Sequence, residues 1–252
     1  MVKLVGILNI TPDSFSDGGA YSNPAVAFAH ADALFEDGAS LVDVGAESTR
    51  PGAEPIDPYE EWRRLEPLLT ALLAFRPGRI SVDTYHPETA DSALALGDVI
   101  INDVTGMNNP EMREVVAGRK ARCIISHLPG LDIQAAHKGR LVDDISVVRN
   151  DLLQKVALLG DAGLPADRII LDPGIGFGKT PALNWRLLEF AREVPNHQVM
   201  IGYSRKRFLG EDRMQLAPNV RAGRIAAKAG AAYLRVHDVA GHYALTHPRA
   251  LR

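Results

Sequence analysis

Short apolar runs that stop at a polar residue recur along the chain, and a stretch with helical periodicity follows each. Val2 to Leu8 ends at Asn9 and gives way to the polar segment Thr11 to Gly19; a helix is predicted from Pro24 to about Asp37, stopped by Gly38. Leu41 to Val44 opens onto a Gly45 to Gly52 loop, with a helix over Pro58 to Phe75. Ile80 to Val82 ends at Asp83 before a helix from Pro87, and Val99 to Ile101 ends at Asn102-Asp103 before a helix after Asn109. Arg122 to Ile125 ends at Ser126-His127, with a long helix from about Val142 to Ala162. Ile169 to Leu171 stops at Asp172, with a helix from Pro181 to about Glu193. Gln198 to Gly202 leads to Ser204-Arg205-Lys206 and a short helix over Pro218 to Lys228, and Ala232 to Val236 leads to His237-Asp238. Runs this apolar suit parallel strands buried on both faces, and each crossover carries a helix. Eight such units in 252 residues predict an α/β fold, a (β/α)8 TIM barrel forming one domain over 1–252, rather than an open doubly wound sheet.

In such a barrel the C-terminal mouth carries the site, and here the strand ends supply Asn9, Asp43, Asp83, Asn102, Asp103, His127, Asp172, Lys206, Arg235 and His237. The most distinctive stretch is Arg168 to Lys179, RIILDPGIGFGK, where an aliphatic strand meets an acid and then Gly174, Gly176 and Gly178. Its tail resembles a phosphate loop, but Pro173 stands where that motif needs Gly, and Lys179 occupies the last Gly of the dinucleotide pattern. A ligand loop and a packing turn with a capping Asp both fit the letters. Asp83, Asn102 and Asp172 match the donor and acceptor edge of a polar heterocycle, whereas Arg50, Lys206, Arg235 and His237 form a cationic set suited to a polyphosphate. The pairing points to transfer of a heterocyclic group from a phosphate ester.

Charge and cysteine usage narrow the classes. A net charge of -3 with pI near 6.2 and scattered basic residues gives no nucleic-acid or membrane-surface partner. The single cysteine, Cys123, excludes an intrachain disulfide framework and reads as a buried small hydrophobe. The apolar N-terminal run is too short for a membrane span, so a cytoplasmic protein is expected.

Seven motifs stand in order: GILNITPDSFSDGG at 6–19, DVGAESTRPGA at 43–53, SVDTY at 81–85, INDVTG at 101–106, ILDPGIGFGK at 170–179, GYSRKRFLG at 202–210 and RVHDV at 235–239. Together they resemble the dihydropteroate synthase family along almost the whole chain. The resemblance implies that 6-hydroxymethyl-7,8-dihydropterin pyrophosphate and p-aminobenzoate are joined, releasing pyrophosphate and 7,8-dihydropteroate, with a Mg2+ ion. Carried over by position, it puts the pterin pocket on Asp83, Asn102, Asp172, Phe177 and Lys206. The pyrophosphate site falls on Asn9, Arg50, Arg235 and His237, with Asn9 near the metal, and Thr49 and Pro51 meet p-aminobenzoate. Asp83, Lys206, Arg235 and His237 carry the catalytic roles, and loops bearing Asp13, Phe15 and Asp17 and residues 48–52 close over the substrates. A homodimer is implied as well.

Three departures from the family pattern are visible. Many members have Ser where Arg207 follows the motif lysine; the Met-His-Met run common after the fifth strand reads Ser126-His127-Leu128; and the last helices, which build the family's dimer interface, are short. Two other readings therefore accompany the first: a pterin-binding paralogue without turnover, and a folate-dependent methyltransferase barrel, which would need no anion site at Arg50, Lys206 and Arg235.

Overall fold

A computed structural model describes residues 1–10, 24–48, 52–130, 133, 139 and 141–246. Eight strands, β1 (Lys3–Asn9), β2 (Leu41–Gly45), β3 (Ile80–Asp83), β4 (Val99–Asp103), β5 (Arg122–Ser126), β6 (Ile169–Asp172), β7 (Gln198–Gly202) and β8 (Tyr233–Val236), close in sequence order into an all-parallel barrel. The described helices around it are α1 (Pro24–Glu36), α2 (Pro58–Phe75), α3 (Pro87–Leu96), α4 (Pro110–Gly118), α5 (Ile145–Asp161), α6 (Pro181–Arg186), α7 (Leu216–Lys228) and the short α8 (Val239–His242). The expected (β/α)8 barrel is thus the fold. Among the described residues no helix is long and apolar enough to cross a membrane.

Local chemistry sets the helix ends. In α2, Asp57 accepts the Glu60 N–H at 2.9 Å and Pro58 occupies the first helical position, where no N–H is needed. Leu65, Leu68, Leu69 and Leu72 of α2 recur at helical spacing and are buried, each contributing on the order of 1.5–3 kcal/mol. The fifth helix starts later than Val142 because Val142 is extended: it pairs with the β6–α6 loop, donating to the Gly178 carbonyl at 2.9 Å and accepting from Thr180 N at 3.0 Å. Asp144 then caps α5 through the Ser146 N–H. The helix expected to Glu193 is α-helical only to Arg186 and tightens into a 3-10 stretch over Leu187–Arg192. Before α7 the chain makes two 3-10 turns, Arg207–Leu209 and Glu211–Met214, and α7 starts at Leu216 rather than Pro218.

The core has two compartments. One lies between sheet and helices. The other plugs the barrel with Val5, Leu41, Ile100, Ile124, Ile170, Met200 and Tyr233. Strand side chains alternate, so the residue two places toward the mouth from each plug residue also faces inward. From Leu41, Ile100, Ile124, Ile170, Met200 and Tyr233 those positions are Asp43, Asn102, Ser126, Asp172, Gly202 and Arg235, and from Val5 it is the apolar Ile7. An apolar plug is thereby overlaid by a polar floor.

Candidate active site

Register sets the floor's geometry. Asp83 pairs with Gly45 on one side and Asn102 on the other, Ser126 with Asp172, and Gly202 with Arg235. The two glycines leave room: a Cβ on Gly45 would lie 3.3 Å from the Asp83 Cβ, and one on Gly202 would lie 3.4 Å from Asp172 Oδ2.

Asp43 is the hub of the floor. It is wholly buried; its Oδ1 accepts from the Ser81 hydroxyl, and its Oδ2 from Asn102 Nδ2 at 3.0 Å and Arg235 Nε at 2.6 Å. The Arg235 guanidinium also donates from Nη2 to Asp83 Oδ2 at 2.8 Å. Thus Asp83 and Asn102 of the acidic set and Arg235 of the cationic set share one cluster with Asp43, because a cation at this depth needs carboxylate partners. Burial first, and the Asp43 charge second, raise the Asp83 carboxyl above the usual carboxylate range, against the pull of Arg235. Burial would lower the Arg235 pKa, but the Asp43 and Asp83 charges outweigh it and raise it, so the guanidinium stays charged.

Asp172 ends β6 with its carboxylate accepting the Gly174 N–H at 2.8 Å. Burial raises its pKa, and Lys206 opposes the rise. Gly174 has φ +64, and a Cβ there would sit 2.1 Å from the His127 carbonyl oxygen, so only glycine lets the loop turn back over β5. Lys206 reaches across: its Nζ donates to the Ile175 carbonyl and lies 5.0 Å from the Phe177 ring centroid. Burial lowers the lysine to about 8, while Asp172 and Asp83 pull the other way.

At the β1 and β8 ends, Asn9 is half-buried with no side-chain hydrogen-bond partner among the described residues, and His237 Nδ1 lies 3.0 Å from Ser204 Oγ. Asn9 offers one oxygen donor to a hard cation. That donor fits a Mg2+ that keeps several waters and is held mainly by a phosphate ligand. Arg207 is exposed. Ser126 is buried and faces inward beside Asp172.

Of the sequence-derived residues, Asp83, Asn102, Asp172, Phe177, Lys206 and Arg235 are brought together by these contacts. Asp13, Phe15, Asp17, Thr49, Arg50 and Pro51 lie outside the described residues. Asp103 and His127, also at strand ends, face outward. Asp103 accepts from Thr105 N at 2.7 Å and Met107 N at 2.9 Å, and His127, held down to about 3 by burial and then by Lys179 and Lys155, sits behind β5. Lys179, the residue that gave the loop its phosphate-loop look, donates instead to the carbonyls of His127, Gly174 and Phe177 at 2.8–3.2 Å, so the loop is held from beneath by a buried ammonium. Asp43, named among the strand ends, carries no role in the sequence reading, and its partner Ser81 is not singled out there. The available signal was an acid at an inward position within the otherwise apolar LVDVG.

A family model described as "Pterin binding enzyme" matches residues 5–237, which sets the class of this barrel. Dihydropteroate synthase from Neisseria meningitidis serogroup C is 39% identical over 249 residues, covering 94% of this chain and 88% of that protein. The structure of Xanthomonas albilineans dihydropteroate synthase with 4-aminobenzoic acid superposes with a TM-score of 0.88 at 39% identity, covering 99% of this chain and 93% of that one. The same enzyme in complex with 7,8-dihydropteroate gives 0.84 at 36% identity, with coverage of 99% and 93%. This chain belongs to the dihydropteroate synthase family. It spans only 29% and 30% of two probable bifunctional folylpolyglutamate synthase/dihydropteroate synthases, from Haloferax volcanii and Halobacterium salinarum.

Proposed function

We propose that this chain joins 6-hydroxymethyl-7,8-dihydropterin pyrophosphate to p-aminobenzoate, giving 7,8-dihydropteroate and pyrophosphate. The observation that carries the reading is the inward-facing layer of Asp83, Asn102, Asp172 and Arg235, roofed by Lys206 and Phe177, over an apolar plug. Relatives bound to 4-aminobenzoic acid and to 7,8-dihydropteroate support it.

In this reading Asp172 accepts the 2-amino and N3 edge of the pterin, which supplies the N–H groups a buried carboxylate needs. Asn102, held by Asp43, takes a second polar edge, and Phe177 with the Lys206 stem covers a ring face. The carbon–oxygen bond of the ester breaks with its electron pair leaving on pyrophosphate, and the amine lone pair of p-aminobenzoate forms the carbon–nitrogen bond. Asp83 faces the positive charge that develops on the pterin. Arg235, whose Nε and Nη2 are used by Asp43 and Asp83, offers Nη1 to the leaving group, and His237, Asn9 and Arg50 complete the anion site. Preorganised donors of this kind are each worth about 2.7–4 kcal/mol at a transition state. The amine needs no strong base, because it loses its proton, to water or to the departing pyrophosphate, only once the new bond has made it acidic. Bound at Asn9, Mg2+ would neutralise pyrophosphate charge. Thr49 and Pro51 meet the p-aminobenzoate end, and loops containing Asp13, Phe15 and Asp17 close over the substrates.

The enzyme works as a homodimer in the cytoplasm; exposed Met214, Leu216 and Tyr243 near the C-terminal helices, and a buried free Cys123, support those two points. Pyrophosphate release by the purified chain with both substrates and Mg2+ is the test. Pterin binding without release would select the non-catalytic paralogue, the outcome that the polar Ser126 at the pocket wall favours.

A further inference from the structure

Beside the mouth, three connections converge: the exit of β2 at Glu47, the first turn of α2 at Glu61, and the β3–α3 connection at Tyr85 and His86. Glu61 has no exposed surface. Its Oε2 accepts from Thr84 Oγ1 at 2.7 Å, but its Oε1 is buried with no hydrogen-bond partner among the described residues. Glu47 accepts from the Tyr85 hydroxyl at 2.5 Å through Oε1, and its Oε2 lies 3.3 Å from His86 Nε2, longer than the roughly 2.7–2.9 Å of a charge-assisted bond. The side chains of Glu47 and His86 are 8% and 15% exposed. One ligand atom from each of Glu47, Glu61 and His86 falls within 4.8 Å of the others. The nearby Arg64 gives no relief, since its Nε pairs with Glu60 at 2.7 Å and its Nη1 donates to the Ala46 carbonyl. Two carboxylates are therefore gathered in a dry place, met by the hydroxyls of Tyr85, Thr84 and Thr89 and by the His86 imidazole.

We propose that Glu47, Glu61 and His86 form a divalent-cation site, separate from the metal expected at Asn9 and suited to Zn2+ or Mn2+. Two carboxylate oxygens and one imidazole nitrogen are a borderline donor set that Zn2+ takes in four-coordinate sites, with the last position left to water. Metal–ligand bonds of about 2.0–2.2 Å would draw the three atoms to roughly 3.5 Å apart. That closure is about an ångström from the present arrangement, within reach of side-chain rotation at Glu47. Tyr85 on Glu47 and Thr84 on Glu61 already supply the outer hydrogen bonds that orient metal-binding carboxylates. The ion would tie the β2 exit to α2 and to the connection that begins one residue past Asp83. The rival explanation is a single proton shared between the two carboxylates.

The test uses the untagged, chelator-stripped full chain with Zn2+ alone, without pterin or pyrophosphate. Retained metal is counted after dialysis by mass spectrometry, and the thermal midpoint is followed in parallel. About one equivalent of Zn2+ per chain and a rise of several degrees are expected. Glu61→Gln and His86→Gln should each weaken retention at least tenfold, whereas Asn9→Ala should retain it. In the wild-type chain, Zn2+ should also protect His86 from carbethoxylation, a readout that needs no variant to fold. Retention no higher than in a blank, retention unchanged in both variants, or equal modification of His86 with and without Zn2+ would overturn the site. A stabilised Glu61→Gln chain with no Zn2+ bound to wild type would assign the cluster to the shared proton instead.

Discussion

Asp43 touches no proposed substrate, yet the cluster depends on it, and a pair of substitutions separates its charge from its shape. In Asp43→Asn the carbonyl can stay at the Oδ2 position, facing Asn102 and Arg235, while the new amide turns to Ser81, whose hydroxyl can rotate to accept. What is lost is the charge opposing a guanidinium 2.6 Å away, and a hydrogen bond to a charged group contributes about 1.5–3 kcal/mol. Asp43→Ala also strands the Ser81 hydroxyl and the Asn102 amide. Removing one partner of a buried ion pair costs about 3–5 kcal/mol, and the 21% exposure of the Arg235 side chain, together with its second partner Asp83, places this case near the lower end. With a urea dependence of about 3 kcal/mol/M for a chain of this size, the unfolding midpoint should fall by somewhat under 1 M for Asn and about 1 M for Ala. Both variants should also lose kcat/KM for the pyrophosphate ester, since Arg235 and Asn102 are no longer held. A double-mutant cycle of Asp43→Ala with Arg235→Leu should give a coupling energy above about 1 kcal/mol. Strict additivity, or an unchanged midpoint in Asp43→Ala, would refute the hub.

Three further residues, Lys206, Asp172 and Arg235, carry predictions from the same geometry. Lys206, held near 8, should give kcat/KM a basic limb at about that pH; Lys206→Arg, which stays charged, should abolish the limb at reduced rate, and a limb that persists would remove Lys206 from the reaction. The stability effect of this group has the opposite sign: between about 8 and the ordinary lysine value the unfolded chain binds more protons, so the Lys206 contribution to stability rises with pH there while activity falls. Asp172→Ala should weaken pterin binding by at least about 100-fold in calorimetry, as a site built to bond N–H groups loses its acceptor, with the thermal midpoint lowered by only a few degrees for the stranded Gly174 N–H; global unfolding instead would make Asp172 structural. Arg235→Ala should weaken the pyrophosphate ester more than free hydroxymethylpterin and also lower stability, because it leaves Asp43 and Asp83 facing each other; equal losses for both ligands would refute its role at the anion end.

The barrel was legible because its signal is periodic and local. Pro58–Phe75 and Gln198–Gly202 came out with the bounds expected, since a proline start in one and a glycine end in the other punctuate the chain where the structure does. Most other strands run at least a residue further, because the polar letter that seemed to stop each run is still hydrogen-bonded in the ladder. The site was legible as a set of strand-end letters, but not as an arrangement. Asn102 and Asp103 are neighbours on one strand and so must point opposite ways, one into the barrel and one to the turn that follows; parity counted from Ile100 picks Asn102. The same parity applied to Leu41 would have promoted Asp43. What no local rule reaches is the bond between Asp43 and Arg235 across 192 residues of sequence, since it exists only once β8 closes on β1. Barrel closure thus does more than bury the plug: it delivers the Arg235 guanidinium to acids that would otherwise repel, and the polar floor depends on the closed barrel.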